Sequence, residues 1–298
     1  MSKLTLGPVL FNWQPERMRD FYFRIADEAS VDSVCVGEVV CSKRTPFFAP
    51  FLPEVVERLT TAGKEVVLSS LALIMTEREL DGARELAGME DVMVEANDVS
   101  VAAMLAGRRF AIGPVVNVYN EGTLAYLESL GAVRVCLPPE LSAAVMGRLA
   151  AGAKAELEVQ AFGRLPLAIS ARCYAARARN LAKDGCQYVC ADDPDGMAVE
   201  TLDEDPFLAV NGTQTMSYHY MDLSAELDRL RAAGIARFRL SPQDVDMVAV
   251  AALYRAALDG RMDGARVGAK LAELCPNAEF ANGYVHGRPG HTFVEAED

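Results

Sequence analysis

Short apolar runs rich in β-branched residues alternate along the chain with segments of helical period. The first seven apolar runs predict strands at 4–11, 31–38, 65–70, 91–96, 109–118, 132–137 and 155–162. The segments between them predict helices at 15–29, 51–62, 76–86, 98–106, 121–130 and 139–151. Alternation of strands and helices is typical of a parallel sheet covered by its crossover helices.

The alternation breaks at about 163–221, a stretch without a clean period that contains three cysteines and an acidic run. It returns with a predicted helix at 224–233, a strand at 236–240 and a final helix at 242–258, before an irregular tail at about 260–298. Eight strand–helix units favour a single α/β domain, a TIM-like (β/α)8 barrel with an insertion after strand seven. An open doubly wound sheet is the alternative, but no GxGxxG follows the first strand.

Composition narrows the possible classes of protein. Apolar residues make up 51% of the 298, which excludes a disordered chain. A net charge of −13 disfavours an extended nucleic-acid-binding surface, so no nucleic acid is expected as a partner. The longest apolar run, 66–75, is about half the length of a spanning helix, and the N-terminus lacks a signal-peptide cleavage pattern. We therefore expect a cytoplasmic protein without a transmembrane segment.

The seven cysteines are the sharpest chemical feature of the chain. Three of them are predicted to be structural: Cys35 and Cys136, which lie in predicted strands, and Cys275, which lies near the C-terminus. The other four follow predicted strands two and seven: Cys41, Cys173, Cys186 and Cys190. The carboxyl ends of barrel strands share one face, so these four thiols are expected to converge.

Four convergent thiolates bind either zinc or an iron–sulfur cluster. Structural zinc usually takes two close pairs of ligands, whereas here only Cys186 and Cys190 are closely spaced. The spacing therefore favours a [4Fe–4S] cluster, with zinc and no metal left as alternatives.

Two stretches carry a resemblance to a known family. The first, EVQAFGRLPLAISARCYAARARNLAKDGCQYVC at 158–190, resembles the signature of the collagenase-like peptidases of unassigned catalytic class. The second, GEVVCSKR at 37–44, resembles one branch of that family, the iron–sulfur proteins of anaerobic ubiquinone biosynthesis. The resemblance covers nearly the whole chain. One departure is the ISAR sequence before Cys173, where many relatives have a glycine.

The resemblance implies a barrel fold and a [4Fe–4S] cluster whose ligands match Cys41, Cys173, Cys186 and Cys190. It implies a heterodimer with a UbiU-like paralogue and action with a lipid-binding accessory protein. The implied activity is O₂-independent hydroxylation of the aromatic ring of prenylated phenols, the ubiquinone precursors, with prephenate as oxygen donor. Hydroxylation of an RNA base and a non-catalytic scaffold with a structural cluster are the alternatives.

Other residues are weaker candidates for catalysis. Glu38 and Glu158 belong to strands two and seven and are possible bases or substrate anchors, and Arg172 precedes Cys173. A buried ion pair between Glu158 and either Arg172 or Arg164 is the favoured structural interpretation.

Five cations lie near the cysteines in the sequence: Lys43, Arg44, Arg172, Arg177 and Arg179. They would offset the negative charge of a cluster, bind a dicarboxylate or form a solvated face. The stretch 211–220 suits an aromatic substrate or a surface strand of the insertion. Protease activity is not expected, because none of the three histidines, His219, His286 and His291, belongs to an evident nucleophile motif.

Overall fold

A closed barrel of eight parallel strands lies at the centre of the computed structural model, which describes residues 2–295. The strands are β1 (Lys3–Leu6), β2 (Ser33–Val36), β3 (Glu65–Ser69), β4 (Met93–Ala96), β5 (Phe110–Ile112), β6 (Ala132–Cys136), β7 (Glu156–Ile169), β8 (Met197–Glu200), β9 (Pro206–Asn211), β10 (Gln214–Asp222), β11 (Arg237–Leu240) and β12 (Phe280–Ala281). The barrel consists of β1 to β7 and β11. Its closing strand, β11, pairs in parallel with both β1 and β7, which confirms the barrel and excludes the open sheet.

Helices surround the barrel. They are α1 (Pro15–Glu28), α2 (Thr45–Phe48), α3 (Leu52–Thr61), α4 (Glu77–Ala87), α5 (Val99–Met104), α6 (Glu121–Leu130), α7 (Ala143–Gly152), α8 (Tyr174–Ala178), α9 (Leu227–Ala232), α10 (Met247–Leu258) and α11 (Gly264–Leu274). Local signals set their ends: the Asn120 side chain accepts a hydrogen bond from the Thr123 amide at the start of α6, and Gly131 ends that helix in the left-handed region. Within residues 2–295, no helix has both the length and the apolar character to cross a membrane.

Several strands end earlier than their apolar sequences predict. β1 ends at Leu6, although the apolar run continues to Phe11, and β5 ends at Ile112 before a short 3₁₀ turn. Val9, Leu10 and Phe11 are buried nevertheless. An apolar pattern signals burial and not ladder hydrogen bonds, and these residues are buried in the loop beyond the carboxyl end of β1.

The stretch at 163–221, which has no clear period in the sequence, contains an antiparallel sheet. β7 runs on to Ile169 and pairs antiparallel with β10, which pairs in turn with β9, and β9 with β8. Gly163 lies at the bend with a φ of 96°, where an added Cβ would meet the Ser241 carbonyl at 2.7 Å. This antiparallel extension carries the cysteine-bearing segment between β7 and β8.

The C-terminal stretch is more ordered than its mixed sequence suggests. Helix α11 packs against α10, and the side chain of Asp263, just before its first residue, accepts a hydrogen bond from the Arg266 amide. Beyond it, β12 pairs with β10. The Asn282 side chain then exchanges hydrogen bonds with the backbone of Val294. The tail expected to be irregular therefore contains a helix and a strand within its described part. Residues 296–298 lie outside the described residues.

Candidate functional site: a thiol cluster at the carboxyl face of the barrel

Cys41 lies in the loop that follows β2, and a half-buried carboxylate, Glu38, organises that loop. Glu38 Oε1 accepts hydrogen bonds from the amides of Val40 at 2.8 Å and Cys41 at 2.9 Å. Gly37 begins the turn with a φ of 132°, and an added Cβ there would meet the Ser69 carbonyl at 2.6 Å. Gly37 and Glu38 therefore fix the position of Cys41 in this loop.

The other three cysteines lie together in the segment between β7 and β8. Cys173 caps α8, its Sγ accepting a hydrogen bond from the Ala176 amide at 3.4 Å. Cys190 lies in a 3₁₀ turn, and its Sγ accepts from Asn12 Nδ2 at 3.3 Å. Cys173 and Cys190 form a small buried cluster with two alanines, and the half-buried Cys186 packs against it.

Direct hydrogen bonds tie the Cys41 loop to this segment. Arg44 donates to Asn211 Oδ1 at 2.7 Å, and Asn211 Nδ2 donates to the Cys190 carbonyl at 2.8 Å. Thr213 Oγ1 donates to the Val40 carbonyl at 2.9 Å. The structure thus brings the two cysteine-bearing segments into contact across the carboxyl face of the barrel.

Positive charge is concentrated between the thiols. Burial lowers the pKa of the Arg44 guanidinium, but the Glu38 carboxylate and the Cys190 and Cys41 thiols raise it, and the net direction is upward. Burial also raises the pKa of the Cys41 thiol, while the Lys43 amide and Arg44 oppose that effect. Arg44 therefore favours the thiolate form of Cys41, whereas burial opposes it.

The donor chemistry here fits a thiolate-bound iron–sulfur cluster or zinc. Arg44 Nε is a buried donor without a hydrogen-bond partner within residues 2–295, beside thiols that would carry negative charge. In the same part of the chain, no three Cys, His, Asp or Glu side chains are arranged as a ready metal-binding group. The four thiols of Cys41, Cys173, Cys186 and Cys190 thus lie in one region, here called the thiol cluster. To coordinate a metal, their side chains would have to turn toward a common point.

The remaining three cysteines are buried away from this region. Cys35 and Cys136 belong to β2 and β6, and burial raises the pKa of both thiols. Burial raises the pKa of Cys275, beside α11, to about 11. All seven cysteines are free thiols. A high pKa keeps these three thiols protonated and unreactive at neutral pH.

The structure places Glu158 in a charged layer inside the barrel. Its Oε2 accepts from Arg239 Nε at 2.9 Å, and Arg239 also pairs with Glu95. The expected pairing of Glu158 with Arg172 or Arg164 is wrong. Arg164 pairs with Asp195 at 2.7 Å instead. The partner of Glu158 comes from β11, which the closing register of the barrel brings beside β7.

The remaining cations divide between the site and its surroundings. Lys43 Nζ donates to the Lys183 carbonyl at 2.7 Å, in the segment leading to Cys186. Arg172 is exposed, as is Arg177. Arg179 pairs with Asp192 and Asp193. Only Lys43 and Arg44 of the five predicted cations therefore stand between the two cysteine segments.

Three polar residues support this region; the sequence pointed to Asn211 and Gln214 only as members of the stretch 211–220, and to Asn12 not at all. Asn12, Asn211 and Gln214 are polar residues that belong to, or follow, strands or apolar runs. Gln214 Nε2 donates to the Leu10 carbonyl at 2.7 Å, and Leu10 packs with Val39 and Val40. The stretch expected at 211–220 to be a substrate-binding element or a surface strand is the end of β9 and most of β10.

The histidines form contacts of other kinds. His219 lies 2.9 Å from Glu279, and His286 Nε2 lies 2.9 Å from Glu226 Oε1. The His291 ring lies 6.5 Å from that of His219. None of these contacts joins a histidine to a serine or cysteine.

Comparison with known proteins identifies the family of the chain. A structure of tryptophan synthase from Mycobacterium tuberculosis is similar over 92% of both chains, with 13% identity and a TM-score of 0.37, a likeness too low to carry an argument. The sequence profile of Peptidase family U32 matches residues 19–295. That match includes all four cysteines of the carboxyl face. The chain therefore belongs to peptidase family U32.

Proposed function

We propose that this protein is a UbiV-like [4Fe–4S] subunit. Together with a UbiU-like paralogue and a lipid-binding accessory protein, it serves O₂-independent hydroxylation of the aromatic ring of ubiquinone precursors. Family membership and the sequences GEVVCSKR and SARC-x12-C-x3-C support the proposal. The observation that carries it is the contact between the two cysteine segments through Arg44 and Asn211.

Cys41, Cys173, Cys186 and Cys190 are the residues that would hold the cluster. A [4Fe–4S] cluster held by four thiolates supplies one-electron transfer and leaves no iron open to substrate. We therefore assign this subunit a redox role.

The residues around the thiols would tune such a centre. Arg44 and Lys43 offset negative charge, while Asn12 and the Ala176 amide donate hydrogen bonds to the sulfurs of Cys190 and Cys173. Leu10, Val39 and Val40 pack beside Cys41 and limit access of water from the barrel side. These contacts are typical of a site whose potential is set by its surroundings.

The test is quinone profiling of a strain that lacks the gene and is grown without O₂. We expect an unhydroxylated prenylated phenol to accumulate, and a plasmid-borne wild-type gene to restore the quinone. The Cys41→Ser variant should fail to restore it, whereas Cys275→Ser, outside the thiol cluster, should succeed. Normal quinone levels in the deletion strain would overturn the proposal. Loss of a hydroxylated base in its RNA, with quinone unchanged, would transfer the protein to RNA modification.

A further inference from the structure

A large, partly open cleft lies on the other side of the Cys41 loop from the thiol cluster. It has a volume of about 780 Å³ and is bounded by the ends of β2 and β3, the loop through α2 and helix α4. Its lining includes Ser42, the neighbour of Cys41, whose Oγ donates to Glu79 Oε1 at 2.6 Å. A cleft of this size at the carboxyl face of a barrel is the ordinary place for a ligand.

We infer that this cleft binds a neutral amphiphile that carries a phenolic hydroxyl on an apolar tail, with the Glu38 carboxylate accepting the hydroxyl hydrogen bond. This inference rests on the proposed function, whose reaction involves a prenylated phenol and a dicarboxylate oxygen donor. It identifies which of these two molecules this chain binds. It assigns the prenylated phenol to this cleft and excludes the dicarboxylate oxygen donor from it.

The walls of the cleft suit an apolar tail. Apolar side chains from β3, α3, α4 and the loops beside them line the cleft, among them Leu52, Leu68, Leu71, Leu86 and Met89. Burying such a surface against an isoprenoid chain favours binding, because it removes apolar area from water. The volume exceeds what a phenol ring alone would fill, so it has room for part of a tail.

The charge of the cleft selects against an anion. Arg78 is its one cation among the described residues, against four acidic residues: Glu38, Glu79, Asp81 and Glu85. A dicarboxylate would meet like charges, which disfavours binding. A neutral hydroxyl donor meets hydrogen-bond acceptors instead.

Glu38 is the acceptor best placed for that hydroxyl. The amides of Val40 and Cys41 both donate to its Oε1, which leaves Oε2 to meet a ligand. Glu79, by contrast, is engaged by Ser42 and by the amides of Met75 and Thr76.

A glycine in α4 allows the cleft to be filled without disturbing the fold. Gly82 lines the cleft, and an added Cβ there meets nothing within 4 Å. A side chain at this helical position also raises helix propensity. Gly82→Phe therefore blocks the cleft, and Gly82→Ala changes the helix in the same way without blocking it. Gly152→Phe, at the end of α7, has equally open surroundings and lies away from the cleft.

The experiment is anaerobic titration calorimetry of the full chain with 2-geranylphenol, its methyl ether 2-geranylanisole, and prephenate. We expect 2-geranylphenol to bind, Gly82→Phe to weaken its affinity at least tenfold, and Gly82→Ala and Gly152→Phe to leave it unchanged. Glu38→Gln should weaken it about 3- to 10-fold, the effect of one lost hydrogen bond. The methyl ether should bind the wild-type protein correspondingly more weakly and be insensitive to Glu38→Gln. Prephenate should not displace the phenol.

Unchanged binding of 2-geranylphenol to Gly82→Phe, or its displacement by prephenate, would overturn the inference. Quinone profiling separates this failure from failure of the proposed function. If the wild-type gene restores quinone synthesis and Gly82→Phe does so equally well, the cleft assignment is wrong and the function stands. If the deletion leaves quinone unchanged while the purified protein still binds the phenol through Glu38, the function is wrong and the ligand site stands.

Discussion

Arg44 and Asn211 are 167 positions apart in the sequence, yet the Arg44 guanidinium donates to Asn211 Oδ1 over 2.7 Å. Arg44 is three residues beyond Cys41, and Asn211 Nδ2 donates to the Cys190 carbonyl. This buried pair joins the loop after β2 to the segment between β7 and β8. The two cysteine segments are therefore held together by the protein itself, through bonds that need no metal.

Replacing Asn211 should loosen the thiol cluster. Asn211→Ala removes the hydrogen bonds that this side chain makes to Arg44 and to the carbonyls of Cys190 and Asp193, at a cost of about 2–5 kcal/mol in the free energy of unfolding. We expect iron content after anaerobic reconstitution to fall by at least half. Asn277→Ala, at an exposed position, is the matched control. Full iron content in Asn211→Ala would show that the pair does not organise the site.

Gly37 should tolerate substitution less well than another glycine with positive φ. Gly37→Ala adds a Cβ 2.6 Å from the Ser69 carbonyl, whereas Gly63→Ala, at a φ of 76°, meets nothing within 4 Å. Both variants incur backbone strain of about 1–3 kcal/mol, and only Gly37→Ala adds a steric clash. Urea denaturation should show the larger loss of stability in Gly37→Ala. Equal losses would contradict the close approach of the β2 and β3 ends.

The charged layer inside the barrel predicts a particular pH dependence. Burial raises the pKa of Glu158, but Arg239, Arg237 and Arg134 lower it, and the net direction is below its ordinary 4.5. Because the folded pKa is depressed, the ionised carboxylate contributes stability above about pH 4.5, and that contribution is lost as the pH falls through the folded pKa.

Glu158→Gln should therefore destabilise the protein by about 3–5 kcal/mol at pH 7, since it leaves Arg239 with one buried partner. The difference from wild type should shrink as the pH is lowered below 4.5. Chemical denaturation at several pH values measures this, with the exposed Glu57→Gln as control. A difference that stays constant down to pH 3 would rule out a role for Glu158 ionisation.

Local sequence signals predicted the helices and the barrel well. Helix α6 has the predicted bounds because Asn120 and Gly131 mark its two ends within the sequence itself. Strand lengths were overestimated where apolar residues continue past the ladder, as in Val9 to Phe11. Hydrophobic pattern reports burial, and a buried loop over a barrel mouth has the same pattern as a strand.

Long-range pairings lie beyond such signals. The shared face of Cys41 and Cys173 follows from barrel topology, which the strand count predicts. The pairing of Glu158 with Arg239 depends on the register of β7 with β11, and the bond between Arg44 and Asn211 depends on how the antiparallel extension folds back. Neither the strand register nor the fold-back of the extension is encoded within a few neighbouring residues. The sequence therefore predicts the candidate ligands but not the contacts that support them.

Metal analysis of the anaerobically purified protein tests the central claim most directly. We predict about four iron atoms per chain with a matching amount of sulfide, and loss of most of that iron in Cys→Ser variants at 41, 173, 186 or 190. Cys35→Ala, Cys136→Ala and Cys275→Ser should retain it, because those thiols are buried elsewhere. One zinc per chain without iron, or iron retained in all four ligand variants, would contradict the account.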